Sequence, residues 1–408
     1  MELTKSSSTT SLNIIQRFIR NSILQLLSTW QYAHIHFDDG ETVHDFITDN
    51  SLPLVKLVIK DIRFFHMIAL QGEIGLAKAY FMGYWDCNNL EFLFRQFLIN
   101  ASPDLHSGFS VIYDKIMQFV AWTTRNTINK SKTHIAAHYD LSNELFELFL
   151  DPSMMYSAAW FDSNNKTLDL SIAQAAKLQH ICEALALNQH DHLLEIGSGW
   201  GSLACYAAQH YACRVTTTTI SEQQYHYAQQ KIHQLGLTDR VELLLCDYRK
   251  LSGRYDKLVS VEMIEAVGYR HIPEFFKKIN QLLKPGGLAC IQAIVMNDVS
   301  YPRYRHHIDF IRHYIFPGGC LPSNLSMLSA ARDARLQLVQ LSDLTESYAT
   351  TLRLWRDNFL KQQTTLETLG FDEQFTRCWD YYFQYCAAGF AEKYIYDGQY
   401  VWQKHHYS

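Results

Sequence analysis

A glycine-rich loop in the middle of the chain is the first feature that predicts chemistry. The apolar segment HLLEIG (192–197) is typical of a buried strand. It runs into Glu195-Ile-Gly197-Ser-Gly199-Trp-Gly201, after which a helical pattern begins. Glycines let the backbone turn tightly and approach a bound nucleoside, and ligands of such sheets lie beyond the carboxyl ends of the strands. Because the third glycine of dinucleotide spacing is missing, the loop indicates another kind of nucleoside site.

The elements that position this loop form a repeating strand-and-helix pattern. From about residue 190 onward, apolar strands alternate with helical segments. The further strands predicted are RVTTTTI (214–220), VELLLCD (241–247), DKLVSVEM (256–263), GLACIQAIV (287–295), DARLQLVQLSDL (333–344) and QYVWQKHH (399–406). The pattern predicts an α/β fold, a mostly parallel sheet with helices on both faces, with the last two strands forming a mixed edge.

A smaller, mainly helical domain is predicted before this sheet. The 408 residues exceed what one core usually fills, and the polar segment TTRNTINKSK (123–132) predicts the boundary, giving domains 1–125 and 126–408. The first helix is predicted to pack on its own domain, with membrane docking as the alternative. Its predicted apolar face consists of Leu12, Ile15, Ile19, Ile23, Leu26 and Trp30.

Composition and charge exclude several classes of function. The net charge of −5 and the absence of a basic run disfavour nucleic-acid binding. Nine scattered cysteines without a C-x-x-C pair indicate reduced thiols, with neither a disulfide framework nor a metal site. Without a secretion signal or an apolar run of the roughly 18 residues that a membrane span needs, we expect a cytoplasmic protein.

Several longer strings resemble one family, the cyclopropane fatty acid synthases. The strings are HYDLSNELFELFLDPSMMYSAAWF (138–161), LLEIGSGWGSLA, TTTTISEQQ, LLCDYR, VSVEMIEAVG (259–268), DFIRHYIFPGGCLPS (309–323), TLRLWRDNF (351–359) and YYFQYCAAGF (381–390). The resemblance covers roughly residues 70–404. It implies a class I methyltransferase Rossmann-like domain that uses S-adenosylmethionine to methylate the cis double bond of an unsaturated phospholipid acyl chain and close a cyclopropane ring.

The resemblance also implies which residues hold S-adenosylmethionine. Class I methyltransferases usually carry an acid at the end of the second strand, whereas this chain has threonines there, as the family pattern does. The implied cofactor-binding residues are Tyr156, Ser157, Gly197, Gly199, Thr219, Ile220, Gln224, Asp247 and Tyr248.

For the chemical step, the resemblance implies a bound bicarbonate ion as the base. Methylation of an alkene leaves a carbocation, and ring closure then requires proton loss from the new methyl group. The implied bicarbonate-binding positions are Ala158, Glu265, Gln292, Ile294 and Tyr348. Ala158 and Gln292 stand where the family more commonly has Cys and His; since the first contact is a backbone N–H and the second an amide donor, we expect the site to persist.

Glu265, Tyr348 and Cys386 are the catalytic candidates. Cys386 matches a cysteine once considered a nucleophile, and a pocket-lining role is favoured because methyl transfer to carbon needs no covalent intermediate. Glu262 is interpreted as a solvent-facing or helix-start carboxylate. His138 and Tyr139 are interpreted as part of a lid over the site.

Two other products and two other functions stay open at this point. The same methyl transfer can end in a methyl-branched or a methylene chain, and a homologue of this kind can be a non-catalytic lipid or nucleoside binder or a small-molecule methyltransferase. The expected partner is a bilayer containing unsaturated phospholipid, reached by peripheral contact of the N-terminal domain with the inner face of the membrane. A homodimer is expected because it doubles that contact.

Overall fold

The computed structural model describes residues 12–100, 141–162 and 169–405. The chain divides into two compact units, one formed by 1–126 with 370–382, the other by 127–369 with 383–408. The segment 123–132 that predicts the domain boundary lies outside the described residues, as do His138 and Tyr139, so these predictions remain predictions.

The N-terminal unit combines helices with a small sheet. Its elements in chain order are α1 Ile14–Ser28, β1 His34–Asp38, β2 Val43–Ile47, β3 Val55–Ile59, α2 Arg63–Phe81, β4 Trp85–Cys87 and α3 Leu90–Asn100. The strand order is β2-β1-β3-β4, in which β1 and β3 are parallel and the outer pairs are antiparallel. Helical residues outnumber strand residues in this unit.

The face predicted for the first helix is buried only in part. Asn13 caps α1 through a reciprocal capping box with Gln16. Gln16 is 7% exposed and its amide donates to the Ile62 carbonyl at 3.2 Å. Ile15, in contrast, is 57% exposed. Leu12 and Trp30, at the two ends of the predicted face, are buried as expected. Within the helix the buried positions are Gln16 and Leu27, one residue after the predicted Ile15 and Leu26, and the periodicity could not reveal the backbone acceptor that the Gln16 amide finds.

Residues 370–382 belong to the N-terminal unit, with which Arg377 makes both a cation–π contact and an ion pair. The Arg377 guanidinium lies 4.1 Å from the centroid of the Tyr80 ring and donates to Asp86 Oδ1 at 2.6 Å. The Tyr80 hydroxyl donates to Asp380 Oδ2 at 3.0 Å. These contacts join positions almost three hundred residues apart, which explains why a boundary search along the sequence misses this segment.

The second unit is built on a seven-stranded sheet. Its strands are β5 His192–Ile196, β6 Arg214–Thr219, β7 Val241–Leu245, β8 Tyr255–Val261, β9 Leu283–Met296, β10 Leu336–Asp343 and β11 Ile395–Lys404. The order is β10-β11-β9-β8-β5-β6-β7, parallel from β9 to β7 and antiparallel at β10 and β11. The predicted α/β fold and its mixed edge are confirmed.

Helices cover both faces of this sheet. Their bounds are α4 Asn143–Glu147, α5 Leu170–Ala184, α6 Ser202–Tyr211, α7 Glu222–Gln234, α8 Ile272–Leu282, α9 Tyr301–Tyr304, α10 Asn324–Asp333, α11 Thr345–Lys361, α12 Gln363–Thr368 and α13 Glu373–Ala391. One apolar cluster joins the sheet to α5, α6 and α7, and another joins it to α8 and α10. Within the described ranges, none of the helices is long and apolar enough to cross a membrane.

Candidate active site

Four neighbouring parallel strands end at the same edge of the large sheet. The loop of Gly197 follows β5, Thr219 ends β6, Asp247 follows β7 and Glu262 follows β8. Because the carboxyl ends of parallel strands form the usual ligand crevice of such a fold, this edge is the candidate site.

The glycine loop is open where a nucleoside would approach it. Gly199 has φ +48°, and a Cβ built there meets no atom within 4 Å. Gly201 has φ +85°, and a Cβ there would lie 3.0 Å from the Ala228 Cβ. Gly201 therefore allows close packing against α7, whereas Gly199 leaves free space above the backbone, and the loop fits a bound nucleoside.

Local hydrogen bonds organise the ends of β6 and β7. The Thr219 hydroxyl donates to Gln224 Oε1 at 2.9 Å, so these two predicted residues are brought together. Ile220, beside them, is 68% exposed. Hydrogen bonds from Arg249 hold the pKa of Asp247 below its ordinary value.

Tyr248 is set apart from these polar residues by its packing. Its ring lies edge-on to Phe275 at 5.5 Å, and burial raises the pKa of its hydroxyl to about 12. The phenol is therefore neutral at physiological pH.

The segment Tyr156–Ala158 is fixed by α5 and by aromatic rings. The Lys177 ammonium donates to the Ser157 hydroxyl at 2.6 Å, and the Gln174 amide donates to the Ser157 carbonyl at 2.9 Å. The Tyr156 ring lies 5.3 Å from the ring of Trp355. This packing presents the backbone N–H of Ala158 in a fixed direction.

The backbone N–H of Ala158 points toward Glu262. The Ala158 N–H donates to Glu262 Oε1 at 2.9 Å, and the Gln292 amide donates to the same oxygen at 2.8 Å. The Tyr348 hydroxyl donates to Glu262 Oε2 at 2.6 Å. Glu262 is therefore not the solvent-facing carboxylate that the sequence suggested: it gathers three predicted site residues around itself. The signal available in the sequence was a second acid one turn before Glu265, directly after a strand.

Glu265 has a different environment. Its Oε1 accepts from the Ile294 N–H at 2.7 Å, while its Oε2 is buried with no hydrogen-bond partner. Burial, together with the nearby charge of Glu262, raises the pKa of Glu265 to about 8. The carboxyl group is thus largely protonated at neutral pH, and its second oxygen is available to donate a hydrogen bond.

Further titratable groups lie beneath these two acids. Lys177 is fully buried, and burial lowers the pKa of its ammonium to about 8 against the attraction of Glu262 and other acids. Asp397 accepts from the Gln292 amide at 3.1 Å, and burial raises the pKa of its carboxyl. The resulting cluster is a buried, charge-coupled site of the kind found at catalytic centres more often than elsewhere.

The predicted bicarbonate does not fit this arrangement. Of its predicted ligands, Ala158, Gln292 and Tyr348 donate to Glu262, and the Ile294 N–H donates to Glu265. Each expected donor thus already has a carboxylate acceptor from the chain itself. An anion would have to displace the Glu262 side chain to be bound.

Cys386 lies on α13 and is half-buried. Burial raises the pKa of its thiol well above the ordinary value. The nucleophilic thiolate is therefore scarce at neutral pH. This favours the pocket-lining interpretation over catalysis.

Comparisons with known proteins identify the family of the chain. A family model for mycolic acid cyclopropane synthetases matches residues 126–400. The chain is 37% identical over 334 residues to the tuberculostearic acid methyltransferase UfaA1 of Mycobacterium tuberculosis, covering 80% of this chain and 78% of that protein. It is 32% identical over 339 residues to a cyclopropane-fatty-acyl-phospholipid synthase of Escherichia coli, covering 82% and 84%.

Solved structures are similar over about two thirds of the chain. The cyclopropane synthase MmaA2 from Mycobacterium tuberculosis superposes with a TM-score of 0.61 at 27% identity, covering 66% of this chain and 97% of that one. The mycolic acid cyclopropane synthase CmaA1, complexed with SAH and CTAB, gives 0.62 at 29% identity, covering 67% and 98%. The resemblance read from the sequence is confirmed, and the chain belongs to the mycolic acid cyclopropane synthetase family.

Proposed function

We propose that this enzyme methylates the cis double bond of an unsaturated phospholipid acyl chain and closes it into a cyclopropane ring. The observation that carries the proposal is the hydrogen-bonded carboxylate of Glu262 at the sheet edge that also carries the glycine loop. Family membership supports the acyl-chain substrate.

Bound S-adenosylmethionine would supply an electrophilic methyl group. Gly197 and Gly199 would admit its nucleoside portion, and the paired Thr219 and Gln224 would offer polar contacts beside it. The structure fits this role because the Cβ position of Gly199 is free of neighbours.

The aromatic residues packed around Tyr348, which contacts Glu262, would exclude water and stabilise a positive charge on the reacting acyl chain. The Tyr348 ring stacks on Phe390 with centroids 4.4 Å apart and lies edge-on to Trp355 at 6.2 Å. Aromatic faces stabilise a desolvated cation by up to about 2 kcal/mol each. This pocket can therefore shelter the carbocation that methylation of an alkene produces until a proton is lost.

A methyl-branched or methylene product is the second candidate. It is favoured by the 37% identical relative, whose name specifies methyl transfer and not ring closure. The same cation leads to all of these products. Loss of a proton from the new methyl group closes the ring, a hydride shift before that loss gives a methylene chain, and a branched chain needs in addition a reductant that supplies two hydrogens. The phospholipid substrate and the ring are therefore the specific parts of the proposal that need a test.

Product analysis provides that test. The full chain, expressed in a bacterial host with monounsaturated phospholipids and no cyclopropane lipids, should add one CH₂ per double bond, with upfield cyclopropane protons in NMR spectra. Olefinic methylene protons would establish the methylene product, and two further hydrogens would establish the branched one. Unchanged lipids, with purified enzyme also inactive on unsaturated vesicles, would contradict the proposal and favour a non-catalytic binder.

We further propose that the N-terminal unit contacts the bilayer. The start of α1 exposes Ile14 by 88% and both Ile15 and Phe18 by 57%. Replacing Ile14 and Phe18 with Glu should reduce co-sedimentation with anionic phospholipid vesicles. Leu325→Glu is the matched control, since Leu325 is 65% exposed on α10. Equal loss in both variants would contradict a specific contact.

A homodimer, which sedimentation velocity would detect, is proposed because it doubles this contact.

A further inference from the structure

The carboxylate of Glu262 occupies a set of donors suited to a small anion. Ala158, Gln292 and Tyr348 come from three different elements and converge on its two oxygens at 2.6–2.9 Å. A glutamate carboxylate and a bicarbonate ion present the same planar O–C–O edge to hydrogen-bond donors. The chain therefore supplies from its own side chain what an external anion would otherwise bring to this place.

The backbone at Glu262 shows that this placement is imposed by its surroundings. Its φ is +46°, in the left-handed region where a residue with a side chain is disfavoured and glycine is not. Non-glycine residues stay in this region only where their surroundings fix them, and they concentrate at functional sites. Three hydrogen bonds fix this one.

We propose that Glu262 is the proton acceptor of the reaction and takes the place of a bound bicarbonate, an inference that rests on the proposed methyl transfer. After the new methyl carbon has joined the acyl chain, a C–H bond of that carbon breaks. Its electron pair forms the last C–C bond of the ring, and the proton passes to a carboxylate oxygen of Glu262. The resulting carboxylic acid then releases the proton to solvent, which restores the enzyme.

The neighbouring charges suit this role. The Lys177 ammonium and the three hydrogen bonds favour the ionised form of Glu262, while burial raises its pKa and so strengthens it as a base. Glu265, whose pKa is also raised, holds its proton beside it. One of the two acids can therefore be ionised while its neighbour is neutral, as in other pairs of carboxyl groups with separate roles.

Anion binding tests the occupied donor set without relying on turnover. Carbon-13 NMR line widths of labelled bicarbonate would be measured with wild type, Glu262→Gly and Glu262→Gln. We expect broadening only with Glu262→Gly, because only this variant frees the donors, and glycine accepts the local φ. Equal broadening with wild type, or none with a folded Glu262→Gly, would overturn the inference.

Turnover on unsaturated phospholipid vesicles tests the base itself. We expect the wild-type rate to change less than twofold when bicarbonate is removed. Glu262→Gln should lose on the order of a hundredfold or more, with S-adenosylmethionine affinity nearly unchanged. Added formate or bicarbonate should restore Glu262→Gly by about tenfold or more, within the range a general base contributes.

Three results on vesicles would overturn the role of Glu262. They are a wild-type rate that depends on bicarbonate, a Glu262→Gln variant that retains its rate, and a Glu262→Gly variant that no anion restores. Wild type that transfers no methyl group to unsaturated phospholipid would overturn the proposed function, and the base role with it. The NMR result would still decide whether Glu262 fills the anion site, so the two failures are distinguishable.

Discussion

The two ends of the candidate site are built in opposite ways. At the nucleoside end, polar contacts are local: Thr219 binds Gln224 five residues away and Asp247 binds Arg249 two residues away. At the carboxylate end, Glu262 binds partners 104, 86 and 30 residues away. A site assembled locally tolerates changes elsewhere in the chain, whereas one assembled from distant elements depends on the whole fold. The predictions below test whether the two ends can be disturbed separately.

The largest effect is expected at the nucleoside end. Gly199→Val places a branched side chain in the open space above the loop, at a φ that valine disfavours. The affinity for S-adenosylmethionine should fall on the order of a hundredfold, about 2.7 kcal/mol, and the strained backbone should also lower the stability of the folded state. Isothermal titration calorimetry measures the affinity.

Gly236→Val is the matched control for this variant. Gly236 has φ +67° and also an empty Cβ environment, but it follows α7 away from the strand ends. Its replacement should cause similar backbone strain and leave the affinity unchanged. Equal loss of binding in both variants would mean that strain alone, and not the filled space, explains the result.

The next effect is expected at the carboxylate end. Tyr348→Phe removes one hydrogen bond to a charged group, a contact of about 1.5–3 kcal/mol, so kcat should fall about tenfold or more with S-adenosylmethionine affinity unchanged. Because that hydrogen bond lowers the pKa of Glu262, the acidic limb of the kcat–pH profile should move to higher pH.

Tyr255→Phe is the control for the loss of a hydroxyl group. Its hydroxyl donates to the Ser252 carbonyl at 3.2 Å, and Tyr255 begins β8 at the end of the strand opposite to Glu262. This variant should keep the wild-type profile. A Tyr348→Phe enzyme with a lower rate and an unmoved profile would mean that Tyr348 acts through packing and not through Glu262.

The difference between the two ends also explains what the sequence could predict. The parallel strands from β5 to β9 are predictable because buried parallel strands are runs rich in apolar and β-branched residues, and the glycine loop because it follows one of them directly. Local sequence patterns cannot predict that one acceptor is shared by Ala158, Gln292 and Tyr348. Their grouping is implied by the family resemblance, which gives them a bicarbonate ion as partner with Glu265 as a further ligand and assigns Glu262 no part in the site.

Glu262 was misinterpreted for a physical reason. A carboxylate at the end of a strand is usually solvated, and only the tertiary structure shows that its oxygens meet donors from three elements. The predicted face of α1 is wrong at Ile15 for a similar reason, since the neighbouring Gln16 is buried and its amide is satisfied by the distant Ile62 carbonyl. Periodicity reports hydrophobic burial and cannot report a polar group that is buried with its partner.

A smaller effect concerns stability at the carboxylate end. The pKa of Glu265 is raised to about 8 in the folded chain, against about 4.5 when unfolded. The folded state therefore holds a proton that the unfolded state releases, and stability is lost as the pH rises between these values. Glu265→Gln removes that loss, so it should gain stability relative to wild type between pH 5 and pH 8, by about 3–4 kcal/mol.

Urea unfolding at pH 5 and pH 8 measures this gain. Glu367→Gln is the control, since Glu367 is exposed on α12 and its carboxylate accepts from the non-titrating Gln363 amide at 3.4 Å, so its effect on stability should be the same at both pH values. If Glu265→Gln also behaved alike at pH 5 and pH 8, the raised pKa of Glu265 would be contradicted. The rate of the variant, measured in parallel, would separate this stability effect from a role in catalysis.

The smallest effect is expected at Cys386. Burial raises the pKa of its thiol. If Glu262 accepts the proton from the new methyl group, no step of the reaction requires a thiolate. Cys386→Ala should therefore keep the rate on unsaturated vesicles within about threefold of wild type, since it removes only a small buried side chain. Cys213→Ala, at a buried thiol just before β6 and therefore at the end of that strand opposite to the site, calibrates the cost of such a deletion. If Cys386→Ala were folded but inactive while Glu262→Gln remained active, Cys386 on α13 would be the catalytic residue and Glu262 at the sheet edge would not.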